Sequence, residues 1–215
     1  MSGSVVTTST YQAMIDRCVQ SVEDERGRPA HRRSRQRRGA RDAALFALAF
    51  TVGLKVSELC DVKMNDYTPG STPYSDGVLI VRDRRPASRR LPIVGTTREH
   101  VTRWIEYHEY DSEHLFFPIS KKNVVYDAHL SQSGLNDIAK RRSPSESVSF
   151  QGLRRSFKHH LKAQGVKDAI VRDLMGLASR RTVPRDDETA DEKMKVALRQ
   201  MSRDAEYPRR GPRVL

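Results

Sequence analysis

The sequence predicts a mainly helical fold with a small antiparallel β-sheet or hairpin, an α+β architecture. Three observations carry that prediction. Apolar residues recur at helical spacing in most segments, one run is apolar on every side, and a single pair of short β-branched runs flanks a turn. The 215 residues are enough for one sizeable core.

The Thr7-Thr8-Ser9-Thr10 cluster offers N-cap hydroxyls for a first helix with Tyr11, Met14, Ile15, Cys18 and Val19 on one face. Residues 26–42 then turn strongly basic, with Arg26, Arg28, Arg32, Arg33, Arg35, Arg37, Arg38 and Arg41 among glycines and a proline. That composition predicts a basic loop or arm. The apolar run from Ala43 to Phe50 predicts a buried helix, with Gly53 as its stop, and Lys55–Val62 a short half-buried helix.

Val78–Val81 and Leu91–Val94 read as the two strands of a hairpin, with Arg84, Arg85, Arg89 and Arg90 at its tip. Further helices are expected around Val101–His108, Leu130–Lys140, Gly152–Gln164 and Asp168–Gly176, and Leu115–Pro118 forms an apolar anchor. From Asp186 the charge runs from acidic to basic, with Met194, Ala197, Leu198 and Met201 on a narrow stripe. This predicts a docking helix followed by a basic tail.

With 39 Lys+Arg against 27 Asp+Glu the net charge is +12, which points to a polyanionic partner rather than an acidic small substrate. No run approaches the roughly 18 apolar residues that a bilayer span needs, and no signal pattern opens the chain. A soluble, intracellular protein of cytoplasm or nucleoid with no membrane partner is therefore expected. Cys18 and Cys60 lack Cys-x-x-Cys partners and read as buried thiols. The adjacent His159 and His160 point about 100° apart on a helix, so one is expected buried and one solvated. No metal and no cofactor are expected.

Two motifs give the chain a family resemblance. Arg41-Asp42-Ala43-Ala44-Leu45, leading to Val52-Gly53-Leu54-Lys55-Val56-Ser57-Glu58-Leu59, resembles the first signature of the tyrosine recombinase (phage integrase) family, R-D-x-A-L followed by T-G-L-R-x-S-E-L. Gln151-Gly152-Leu153-Arg154-Arg155-Ser156-Phe157 is similar to its second, H-x-L-R-H-T-F, and Leu174-Met175-Gly176-Leu177 to its L-L-G-H. The resemblance runs from about Thr7 to Ser179 and implies the family's catalytic-domain fold over residues 1–182, with 183–215 as docking helix and basic tail. It also implies that the helical core-binding domain which usually precedes that domain is absent.

The resemblance further implies a chemistry. In the family a tyrosine hydroxyl attacks a phosphodiester, two arginines brace its oxygens, a lysine on the hairpin turn protonates the leaving oxygen, and histidines assist. Here Lys55 stands at the first arginine position, a point charge without the guanidinium fork. The hairpin tip offers arginines such as Arg84, which are poor proton donors. Gln151 and Leu177 occupy histidine positions, Glu58 and Arg154 match, and no tyrosine lies between Tyr126 and Tyr207.

The phosphate contacts expected are Lys55, Arg84, Arg85, Arg89, Arg90, Arg154 and the arm residues Arg32, Arg33, Arg35, Arg37 and Arg38. Plainer readings stand beside them: Lys55 as a solvated helix start, Arg154 as an ion-pair partner of Glu58, and the stripe of the last helix as core. The expected function is a DNA-binding protein without strand cleavage, a regulator or accessory factor of recombination at mobile-element DNA. Duplex DNA is its expected partner, with a second copy or a partner recombinase engaged through the C-terminal helix. Two alternatives are an integrase that cleaves through Tyr207 in cis or in trans, and an adaptor that binds RNA or an acidic protein.

Overall fold

The computed structural model describes residues 5–72, 75–82, 88–144, 148–177 and 188–206. Helix α1 (Thr8–Glu23) starts where the Thr7 hydroxyl accepts from the Thr10 N–H at 3.2 Å, and it buries Tyr11, Met14, Ile15 and Cys18.

The segment read as a basic arm is instead helical: α2 spans Pro29–Ala47 and runs into a π-helical turn, Leu48–Val52. Pro29 fits the first turn, where its missing N–H costs nothing. Ser34, Arg37 and Arg41 extend the buried face of Ala44, Leu45 and Leu48 at spacings of three and four residues. Arg37 is 1% exposed and donates from Nε to the Tyr107 carbonyl and from Nη2 to that of His108, both at 2.9 Å. It thereby caps α4 (Gly95–His108), whose last carbonyls have no partner within the helix.

Arg41 donates to the Asp42 carboxylate at 2.7 and 3.0 Å and to the Phe117 carbonyl at 3.0 Å. Arg33 pairs with Glu109, and Arg35 with Asp24. Arg32 reaches toward the Glu25 carbonyl. Most of the supposed arm is thus engaged within the fold.

Gly53 closes the π turn at φ 74°, and a Cβ there would collide with the Phe157 ring. Helix α3 (Val56–Asp61) follows, then a 3-10 turn (Met64–Asp66). The sheet has three antiparallel strands in the order β1 (Tyr67–Thr68), β2 (Gly77–Val81), β3 (Arg89–Ile93), pairing Leu79 with Leu91 and Val81 with Arg89. Sequence patterning misses β1, because two residues carry no periodicity.

Trp104 of α4 donates to the Leu115 carbonyl at 2.7 Å and packs against Phe117 at 5.3 Å, which fixes the Leu115–Pro118 anchor. Helices α5 (Gln132–Arg142) and α6 (Phe150–Ala163) each start under a serine cap, Ser131 and Ser149. α7 spans Asp168–Leu174. Phe46, Phe50, Phe150 and Phe157 are fully buried in one core, each worth about 2–3 kcal/mol over an exposed position.

Helix α8 (Glu188–Glu206) lays Met194, Ala197, Leu198 and Met201 onto α1, α4 and the π turn of its own chain. The Ser202 hydroxyl accepts from the Thr96 N–H at 3.0 Å, and Arg199 pairs with Asp76 at 2.6 Å. The stripe is therefore core here.

Cys18 and Cys60 are free and buried; burial pushes the Cys18 thiol well up and Cys60 up to about 11, so neither is a nucleophile at neutral pH. His159 is exposed, and His160 is half-buried, with Nδ1 2.8 Å from the Ser156 carbonyl oxygen. Among the described residues no helix is long and apolar enough to cross a membrane.

Candidate functional site

The two sequence motifs meet at one junction. The left-handed Gly53 turns the chain sharply from the π turn into α3, so that Lys55 stands as the N-cap residue with extended backbone. Glu58, one turn on, folds its carboxylate back to accept from the Lys55 N–H at 2.8 Å. That places a buried carboxylate where three cations converge. Arg89 Nη1 donates to it at 2.9 Å, Lys55 Nζ lies at 3.5 Å and Arg154 Nη1 at 3.9 Å.

Burial alone would raise the Glu58 carboxyl, but the Arg89 hydrogen bond and charge, followed by the Lys55 N–H and ammonium, hold it below the usual range. Arg154 is set in α6 and donates to the carbonyls of Gly53 and Met175, the latter at 2.6 Å. It thus ties the first motif to the turn after α7. Burial, and then the Arg89 charge, lowers its pKa against the pull of Glu58. Three cations around one carboxylate leave a surplus of positive charge on this junction.

Arg89 is not a tip residue. It shares strand parity with Leu91 and Ile93, so its side chain points inward and is 6% exposed, while Arg90 is exposed. Gly176, at φ 61°, passes so close to the Arg89 guanidinium that no Cβ fits between them. The alternation along the strand is the signal that turns Arg89 inward, toward Glu58.

The solvent edge of the junction belongs to Lys55, whose side chain is 34% exposed. Gln151, one helical turn before Arg154, is exposed, and so is Leu177, whose N–H donates to the Arg172 carbonyl at 2.7 Å. Arg84, Arg85 and Tyr207 lie outside the described residues. Of the arm residues, none comes to this junction in a hydrogen bond or ion pair among the described residues.

The junction can therefore attract and hold an anion. The side chains that meet around Glu58 are a lysine and two arginines, and none of them carries a hydroxyl or thiol. No group of three or more metal-ligating side chains assembles among the described residues.

The signature of the Phage integrase family matches residues 8–186. The tyrosine recombinase XerA of Pyrococcus furiosus is 30% identical over 142 residues, which is 65% of this chain and 47% of that protein. The tyrosine recombinase XerC of Staphylococcus aureus is 26% identical over 138 residues, 63% of this chain and 45% of that protein. The chain thus spans less than half the length of these relatives.

Among solved structures, XerA recombinase aligns with TM-score 0.59 at 16% identity, covering 96% of this chain and 64% of that one. The XerH site-specific recombinase in a pre-cleavage complex with difH substrate aligns with TM-score 0.56 at 19% identity, over 82% and 47% of the two chains. These likenesses show the fold. With both signatures folded against one another around Glu58 and Arg154, and the family match covering most of its length, the chain belongs to the phage integrase (tyrosine recombinase) family.

Proposed function

We propose that this chain binds duplex DNA through the recombinase fold without cleaving it, and serves as a regulator or accessory factor in recombination or integration of mobile-element DNA. One observation carries the reading. The junction keeps its cations, Lys55 and Arg154 around Glu58, while the positions that would handle protons and form the covalent bond hold Gln151, Leu177 and no tyrosine near Asp186.

A lysine still attracts a phosphate, yet it cannot brace two oxygens as a planar fork does. Without histidines at the two motif positions and without a tyrosine near Asp186, binding is the role that this reading assigns to the centre. The relatives are named as recombinases, and XerH is described bound to its difH substrate, which supports DNA as the partner class. Assembly through α8 would first require that helix to leave the core it covers.

A mobility-shift competition at about physiological salt tests this. Duplex DNA should displace a labelled duplex at a lower concentration of anionic groups than RNA or heparin does. Negligible affinity for duplex at moderate salt, or equal competition by heparin, would sink the proposal.

A further inference from the structure

A second concentration of arginine lies away from the junction. Arg41 occupies one oxygen of the buried Asp42, Arg142 of α5 donates to the other at 2.9 Å, and Arg141 stands 3.6 Å from it. Arg17 of α1 joins them by donating to the Ser143 carbonyl at 2.6 Å. Arg38 is half-buried beside them and donates to the Ser34 carbonyl at 3.2 Å.

Burial, and next the charge of Arg141, lowers the pKa of Arg38, with Asp42 opposing. The cluster thus holds more positive charge than its carboxylate offsets. Outward it opens into a cleft of about 290 Å³ lined by Arg17, Arg26, Arg141 and Arg142 with Ser21 and Asp24. Asp24 is engaged by Arg26 at 2.9 Å and Arg35 at 3.3 Å. Among the described residues here, seven guanidinium groups face two carboxylates.

Arg142 also donates to the Arg17 carbonyl at 3.2 Å and to the Ser21 hydroxyl at 2.5 Å, and Arg26 closes its fork on Asp24. Arg141, 46% exposed, is the guanidinium that this wall offers to solvent, and such a planar fork matches the oxygens of a phosphate. We propose that the cleft between α1 and the end of α5 is a second phosphate site, one that takes a backbone phosphate of DNA independently of the Lys55–Arg154 junction. This rests on the DNA-binding reading for its ligand, though not for its residues.

The test is the double variant R38Q/R141Q, which leaves the Arg41–Asp42 and Arg142–Asp42 pairs in place. Urea unfolding first confirms that it is folded. Against wild type, its log K for duplex DNA should fall with log salt by a slope shallower by about 0.9, the value for the one phosphate that the variant no longer neutralises. Affinity at about physiological salt should drop about tenfold or more. An unchanged slope in a folded variant overturns the proposal.

A second arm needs no DNA: inorganic phosphate, compared with chloride at matched ionic strength, should raise the thermal midpoint of wild type by more than that of the variant, which keeps the Lys55–Arg154 junction. If phosphate stabilises both equally, or neither, the cleft is not a phosphate site. If wild type fails to bind duplex at all, the proposed function fails, and a phosphate effect weaker in the variant would identify a free-anion site instead of a DNA contact. A variant-sensitive phosphate effect with an unchanged DNA slope would likewise overturn the DNA assignment.

Discussion

Glu58 accepts from the Lys55 N–H and from Arg89 while Lys55 and Arg154 stand close by, so removing its charge leaves cations facing one another in a largely buried space. Glu58→Gln should cost about 3–5 kcal/mol in urea unfolding, the range for breaking a buried pair from one side. A loss below about 1 kcal/mol would mean that the three cations are solvated and not held by it.

His100 gives a separate titration. Burial between α4 and α1, and then the Arg103 charge, pushes its imidazole down to about 4 from an ordinary 6.5. Between those values the unfolded chain binds a proton that the folded one refuses, so stability falls as pH drops through that window, by up to about 1.4 kcal/mol per pH unit. His100→Gln should flatten urea midpoints measured from about pH 6.5 to about pH 4.5. Glu58 and Asp42, both held below the usual carboxylate range, contribute stability above about pH 4 that is lost only under more acid conditions.

At the scale of elements, α2 shows how charge can mislead about structure. Arg33 and Arg37 are chemically identical and one turn apart, yet Arg33 is 53% exposed beside Glu109 while Arg37 caps the end of α4 from within the core. Arg37→Ala should cost about 2–4 kcal/mol through two charge-assisted hydrogen bonds, and Arg33→Ala no more than about 0.5. Equal small effects in thermal unfolding would restore the picture of a solvated arm. Gly53→Ala combines a left-handed backbone with collision against Phe157 and should cost about 2 kcal/mol or more by the same measurement.

Most helices are legible in the sequence because apolar residues recur at helical spacing, and at Thr7 the capping hydroxyl agrees with it. The start of α2 is not, because its inward face carries Arg37 and Arg41, whose partners are carbonyls and a carboxylate invisible in the local sequence. The candidate site is legible in its motif residues Lys55, Glu58 and Arg154. The arginines crowded around Arg89 suggest a phosphate contact there, although strand parity with Leu91 turns it inward.

On the scale of the whole molecule, a surplus of positive charge is arranged around buried carboxylates, Glu58 at the junction and Asp42 in the α1–α5 cluster, each held ionised by arginine. The fold commits many arginines to its own carbonyls and carboxylates and presents others, such as Arg90 and Arg141, to solvent. α8 covers the π turn and α4 with its apolar stripe. Under the proposed function, the surplus charge holds DNA by phosphate contacts, with affinity that falls steeply with salt.

The most direct test incubates the purified protein with fragmented duplex DNA at about physiological salt and divides the retained material between native and detergent-denaturing gels. DNA that is retained natively and wholly released by detergent is the predicted result. A DNA–protein adduct that survives detergent and disappears in Tyr207→Phe would contradict it and restore strand cleavage to this chain.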